Sequence, residues 1–70
     1  MSIAKNIEIS STSTVSFEDA IKKGIAEAAK TVKNLKGCWV KEQKADLDGD
    51  RITNYQVMMI LTFVVDHVDH

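Results

Sequence analysis

Seventy residues with one cysteine and a net charge of −1 make a single domain, spanning 1–70, and exclude several ways of stabilising it. A chain this short buries only about 60% of the surface it exposes when unfolded, and the lone Cys38 rules out an intrachain disulfide and fits a reducing compartment. The near-neutral charge supplies no field for nucleic acid or an anionic membrane surface.

A hydrophobic content of 44% beside 27% charged residues is that of a folded domain rather than a disordered one. The longest apolar stretch, Val57 to Leu61, is too short to span a bilayer. Met1-Ser2-Ile3-Ala4-Lys5 lacks the basic region and long apolar run of a signal peptide, so a cytoplasmic protein is expected. Self-association is the stabilising device left.

Ile3 to Ile9 alternates as a strand, with Ile3, Ile7 and Ile9 on one face and Lys5 snorkelling at the sheet edge. The polar run Ser10 to Val15 reads as a connection. Ser16 followed by Asp19 resembles a capping box with Asp in place of Glu. Phe17, Ala20, Ile21, Ile25, Ala28, Ala29, Val32 and Leu35 then recur at helical steps, giving one amphipathic helix of about 19 residues. Glu18 with Lys22, Asp19 with Lys23, and Lys23 with Glu27 stand at i,i+4 spacing on the other side. Gly24 inside the helix costs roughly 1 kcal/mol relative to Ala and marks either a close packing contact or nothing. Gly37 ends the element, with Lys33 and Lys36 in its last turn.

From Cys38 the period becomes two. Cys38 and Val40 face one way; Gly37, Trp39, Lys41 and Gln43 face the other. Asp46-Leu47-Asp48-Gly49-Asp50 is a hairpin turn. In the long arm Ile52 to Val65, Tyr55, Val57, Met59, Leu61, Phe63 and Val65 share one face. Gln56, Met58, Ile60, Thr62 and Val64 share the other. These elements predict an α+β fold: β-α-β-β, a three-stranded antiparallel sheet in order 1-3-2, with one amphipathic helix on one face. The ordered core is expected over about 3–66, with 67–70 a tail.

One helix covers one face of a sheet. The second face, carrying Trp39, Met58, Ile60 and Val64, is left for an interface or a ligand.

The chain resembles the dodecin family over roughly residues 5 to 65. The residues that carry this are Ile7-Glu8-Ile9 with the following Ser/Thr run (SSTST), Ser16-Phe17-Glu18-Asp19-Ala20-Ile21, Ala26 through Ala29, and Thr31-Val32-Lys33-Asn34-Leu35. Val40-Lys41-Glu42-Gln43, Tyr55-Gln56-Val57 and Thr62-Phe63 complete it. The resemblance implies a homododecamer: a hollow shell with sheets inward and helices outward, binding a flavin such as riboflavin or FMN for storage or quenching. It also implies flavins held in pockets between subunits, each ring stacked on a tryptophan that opens the second strand and contacted by a glutamine of the third. Some members are described with coenzyme A or metal ions.

The glutamine corresponds to Gln56. Gly37 stands where the stacking tryptophan falls in the family, and Trp39 lies two residues later, on the same face but displaced by about 6.5–7 Å. Two outcomes stay open. Trp39 and Gln56 form a shifted platform and amide for a planar ligand, or the greasy face packs subunits and the shell has lost flavin binding for a structural, other-ligand or metal-binding role. Lys44 is a candidate partner for a phosphate but reads first as a solvated strand-end lysine.

Asp46, Asp48 and Asp50 resemble the start of a calcium loop, but an EF-hand needs glycine at its sixth position and glutamate at its twelfth, where Arg51 and Val57 stand. His67 and His70, with Asp66 and Asp69, carry metal-ligand chemistry on a tail, which alone makes a weak site. Cys38, on the helix side, reads as a buried structural thiol. No nucleophile is placed beside a base, so no enzymatic activity is expected. The candidate ligand-binding residues are therefore Gln56, Trp39, Gly37 and Lys44, with no catalytic or metal residue assigned.

Overall fold

Side-chain alternation decides this sheet. The computed structural model describes residues 2–66, in which β1 (Ser2–Ser13), α1 (Phe17–Ala29), β2 (Leu35–Asp48) and β3 (Arg51–Asp66) follow in order. The expected β-α-β-β arrangement holds. The strands form one antiparallel sheet ordered β1-β3-β2. The strand with the longest two-sided apolar run takes the centre, where both edges are paired and both faces can be buried.

On the helix side of β3, Val57, Met59 and Leu61 are fully buried, and with Ala20 they make the buried core among the described residues. Ile7, Ile9, Phe17, Ile21, Ile25, Ala28 and Leu35 close around them, partly buried. The ring of Phe17 meets that of Tyr55 edge to face, at 5.0 Å between centroids. Gly24 is buried because α1 crosses the sheet closely there: a methyl group added to it would collide with Met59 Cε and lie 3.0 Å from Ser11 Cβ. The close contact allowed for at this glycine is real.

β1 is longer than its apolar alternation. Ser10 to Ser13 are strand, paired with Met58 to Tyr55, not the connection their polarity predicts. The central strand offers backbone partners over this whole length, and serine and threonine accept that pairing at a solvent-facing edge. Ser13 then shapes the turn into α1. Its buried hydroxyl donates to Asp19 Oδ2 at 2.5 Å and accepts from the Val15 and Ser16 amides at 2.9 and 3.4 Å. Ser16 caps the helix by accepting from the Asp19 amide at 2.9 Å. The capping box is therefore half formed: the Asp19 side chain turns to Ser13 instead of back to Ser16.

The helix is shorter than its periodicity. It stops at Ala29, with Lys30 as C-cap. The amides of Thr31 and Val32 both donate to the Ala28 carbonyl, and Asn34 adopts a left-handed φ of 64°. Leu35 is then claimed by the sheet, opposite Phe63. Leu35 contributes to the core as its spacing predicts, but from β2. Lys33 and Lys36 consequently lie outside α1, and Gly37 sits inside β2 rather than at a helix end. The pairs Glu18–Lys22 and Asp19–Lys23 form, whereas Glu27 pairs with Lys30.

The hairpin turns at Gly49-Asp50, with Gly49 at a φ of 64°. A 13-residue helix spans about 20 Å and a 16-residue strand about 50 Å, so the β2–β3 arm projects beyond the helix. The Cα extents are 61 × 19 × 12 Å and the radius of gyration is 15.0 Å, against about 11 Å for a compact domain of this length. Since α1 packs mainly on β1 and β3, β2 beyond Leu35 lies largely outside its cover. Cys38 is thus exposed rather than buried, its Sγ 3.5 Å from Met59 Sδ.

Candidate functional site

The open face of the sheet is laid out by register. Going along β3, Gly37, Thr62 and Asn6 form one row, Trp39, Ile60 and Glu8 the next, Glu42, Met58 and Ser10 a third, and Lys44, Gln56 and Thr12 a fourth. All four residues expected to contact a ligand therefore share this face. Within one chain they fall into two groups. Gly37 and Trp39 lie at one end. Lys44 and Gln56 stand opposite each other at the other end, four residues away along β3 or about 13 Å.

Trp39 is 51% exposed, with its partner Ile60 half-buried. A Cβ added at Gly37 would meet only Thr62 Cβ, at 3.9 Å, so the face is open at this position, two residues from the indole. Gln56 lines a shallow cavity of about 210 Å³ with Glu42, Lys44 and Met58, and among the described residues its amide has no hydrogen-bond partner. An exposed indole, an open position without a side chain and a free amide are surfaces a planar heteroaromatic ring can use: the indole stacks, and the amide reads ring nitrogens and carbonyls.

A bulge changes the face that strict alternation predicts. The register slips between Val40 and Glu42, leaving Lys41 as the extra residue. Gln43 is thereby carried to the helix side, opposite Val57, and Glu42 and Lys44 come to the open side. Lys41 remains there, reaching across β3 to Glu8 Oε1 at 3.0 Å. That hydrogen bond and charge raise the Lys41 ammonium above its ordinary value. Lys44 stands 3.9 Å from Asp46 Oδ1, and Thr62 donates to Asn6 Oδ1 at 2.8 Å. Sequence reasoning placed Lys41 on this face but missed Glu8 and Glu42 as members of it. Glu8 was legible, as the residue between Ile7 and Ile9; Glu42 was not, because its side depends on the bulge.

At the hairpin, Asp46 accepts from Asn54 Nδ2 through its side chain and from Thr53 through its carbonyl. Among the described residues no three His, Cys, Asp or Glu side chains gather into a metal-binding group. His67 and His70 lie outside the described residues. No described helix is long and apolar enough to cross a membrane.

The fold and its face define a class: a β-α-β-β unit whose single helix leaves one side of the sheet bare. The dodecin family model matches residues 3–66, and the chain belongs to the dodecin family. Among solved structures it is similar to a variant of the Thermus thermophilus dodecin, at 28% identity, covering 97% of this chain and 100% of that one with a TM-score of 0.88. It is similar to a dodecin from Streptomyces davaonensis at 30% identity, covering 94% and 97%, TM-score 0.86. The calcium dodecin of Mycobacterium tuberculosis, described as having a calcium-binding site, is 26% identical and covers 87% of each chain, TM-score 0.76. A comparison with curated proteins finds no match.

Proposed function

We propose that this protein is a self-assembled small-molecule binding and storage shell, with the open sheet face turned inward and a flavin as its ligand. The observation that carries this reading is the half-exposed indole of Trp39 on an uncovered face that also bears Gln56. Indole and amide are too far apart in one chain to grip one small ring together, so the pocket is framed where faces of neighbouring copies meet. The elongated shape and the four-residue buried core among the described residues support assembly: a lone chain leaves too much apolar surface wet to be comfortably stable. The chain's membership of the dodecin family supports a homododecamer and riboflavin or FMN as ligands. No catalytic step is assigned, and the cytoplasm is the proposed compartment.

A second reading is favoured by Gly37, which leaves the position of the family's stacking tryptophan without a side chain. In it the shell persists, and Trp39 with Ile60 and Met58 only packs subunits together.

Light scattering and flavin titration separate these readings. A closed oligomer that quenches riboflavin or FMN emission at micromolar protein supports binding. A closed oligomer that leaves both emissions unchanged supports the packing shell. A monomer at high dilution with undiminished stability overturns both.

A further inference from the structure

Among the residues whose side chains are described, the open face carries three carboxylates, Glu8, Glu42 and Asp46, and two ammonium groups, Lys41 and Lys44. Each cation has a carboxylate beside it, Lys41 hydrogen-bonded to Glu8 at 3.0 Å and Lys44 more loosely beside Asp46 at 3.9 Å. Glu42, among the described residues, makes no ion pair, although its charge adds to that of Glu8 at Lys41, and it lines the same cavity as Gln56 and Lys44. Other lysines are held elsewhere. Lys5 stands in the row of Phe63 on the helix side, and Lys36 borders a separate small cavity with Ile25 and Leu61. Among the residues whose side chains are described, the face is therefore net negative, by three charges against two, beside the Gln56 amide. Every copy that joins an assembly through this face adds the same surplus.

We infer that the open face selects a phosphate-free planar ring, riboflavin-like and uncharged, against its phosphorylated form. This rests on the flavin reading above and sharpens it. A phosphate monoester carries close to two negative charges at neutral pH. To be held it needs an unpaired cation or a cluster of amides at a helix N-terminus. The face offers neither, because Lys41 is bonded to Glu8, the charge of Lys44 is shared with Asp46, and Glu42 repels the incoming charge. The ring asks only for what Trp39, the open position at Gly37 and Gln56 present. Lys44, a candidate phosphate partner on sequence grounds, thus stands beside a carboxylate of its own strand.

The test is a pair of fluorescence titrations of the assembled protein, with riboflavin and with FMN, at low salt and again near 1 M NaCl. Riboflavin is expected to bind about fivefold more tightly or better at low salt. The preference should shrink at high salt, where exposed charges are screened. Glu42→Gln should strengthen FMN binding while leaving riboflavin binding within about twofold, judged by the size of a single screened charge. FMN binding as tightly as riboflavin, or more tightly, overturns the inference and leaves the flavin reading standing. A preference for riboflavin that persists unchanged at high salt assigns it to shape and overturns the electrostatic account. Binding of neither ligand removes the flavin reading together with this one.

Discussion

The hydroxyl of Ser13, buried at the end of β1, donates to Asp19 Oδ2 in the first turn of α1 at 2.5 Å. The same oxygen accepts from the amides of Val15 and Ser16. One atom thus ties the strand, the turn and the helix start together, and it fixes how α1 is laid over the sheet.

Ser13→Ala leaves the Val15 and Ser16 amides and the Asp19 carboxylate without this hydroxyl, so it should destabilise the fold by about 1–3 kcal/mol. Asp19 also brings a pH dependence. Its carboxyl, ordinarily titrating near 3.8, is held lower, first by the Ser13 hydroxyl and then by Lys23. A depressed folded value means this stabilisation is present above about pH 4 and is lost as pH falls through the lowered folded value. Acid unfolding of the wild type should begin at lower pH than that of the Ser13→Ala protein. Coincident acid transitions, relative to each protein's neutral stability, would contradict this.

Gly24→Ala sets helix propensity against space. Alanine gains about 1 kcal/mol in a helix, but its methyl collides with Met59 Cε and stands 3.0 Å from Ser11 Cβ. Met59 is wholly buried and Ser11 Cβ is fixed to the β1 backbone. Overpacking of about 1–3 kcal/mol therefore outweighs propensity, and the melting temperature should fall by several degrees. A rise in melting temperature would show that α1 lifts off the sheet at little cost.

Trp39→Ala distinguishes a ligand platform from packing. Under the binding proposal the oligomer forms at its usual size and flavin affinity drops by at least about tenfold, as expected from losing an aromatic stack. Under the packing reading the particle falls apart, which light scattering reads directly.

The projecting arm makes its own claim. Leu47 and Ile52 are paired near the hairpin end and stand 65% and 46% exposed, beyond the reach of α1. We expect Leu47→Lys to weaken assembly while leaving strand and helix content by circular dichroism unchanged. An oligomer of undiminished dilution stability would show that this end of the arm stays in water.

Most of the candidate site was legible from alternation alone. Trp39, Gly37, Gln56 and Met58 follow the two-residue period of β2 and β3, which depends on nothing outside each strand. Gln43 and Glu42 were not legible, since the bulge at Lys41 moves one off the face and the other onto it. Cys38 was placed on the correct side yet judged buried, because its cover depended on where the helix ends.

By itself the chain determined the alternation of its strands, the apolar stripe from Phe17 to Ala28, and hence a sheet with one side uncovered. Those are local periodicities, set by neighbouring residues on one backbone. The tertiary structure decided that α1 stops at Ala29, that Leu35 joins β2, that Ser10 to Ser13 extend β1 and that Lys41 bulges toward Glu8. In each case a segment whose local pattern allowed two outcomes was taken by backbone pairing or packing with β3, tens of residues away.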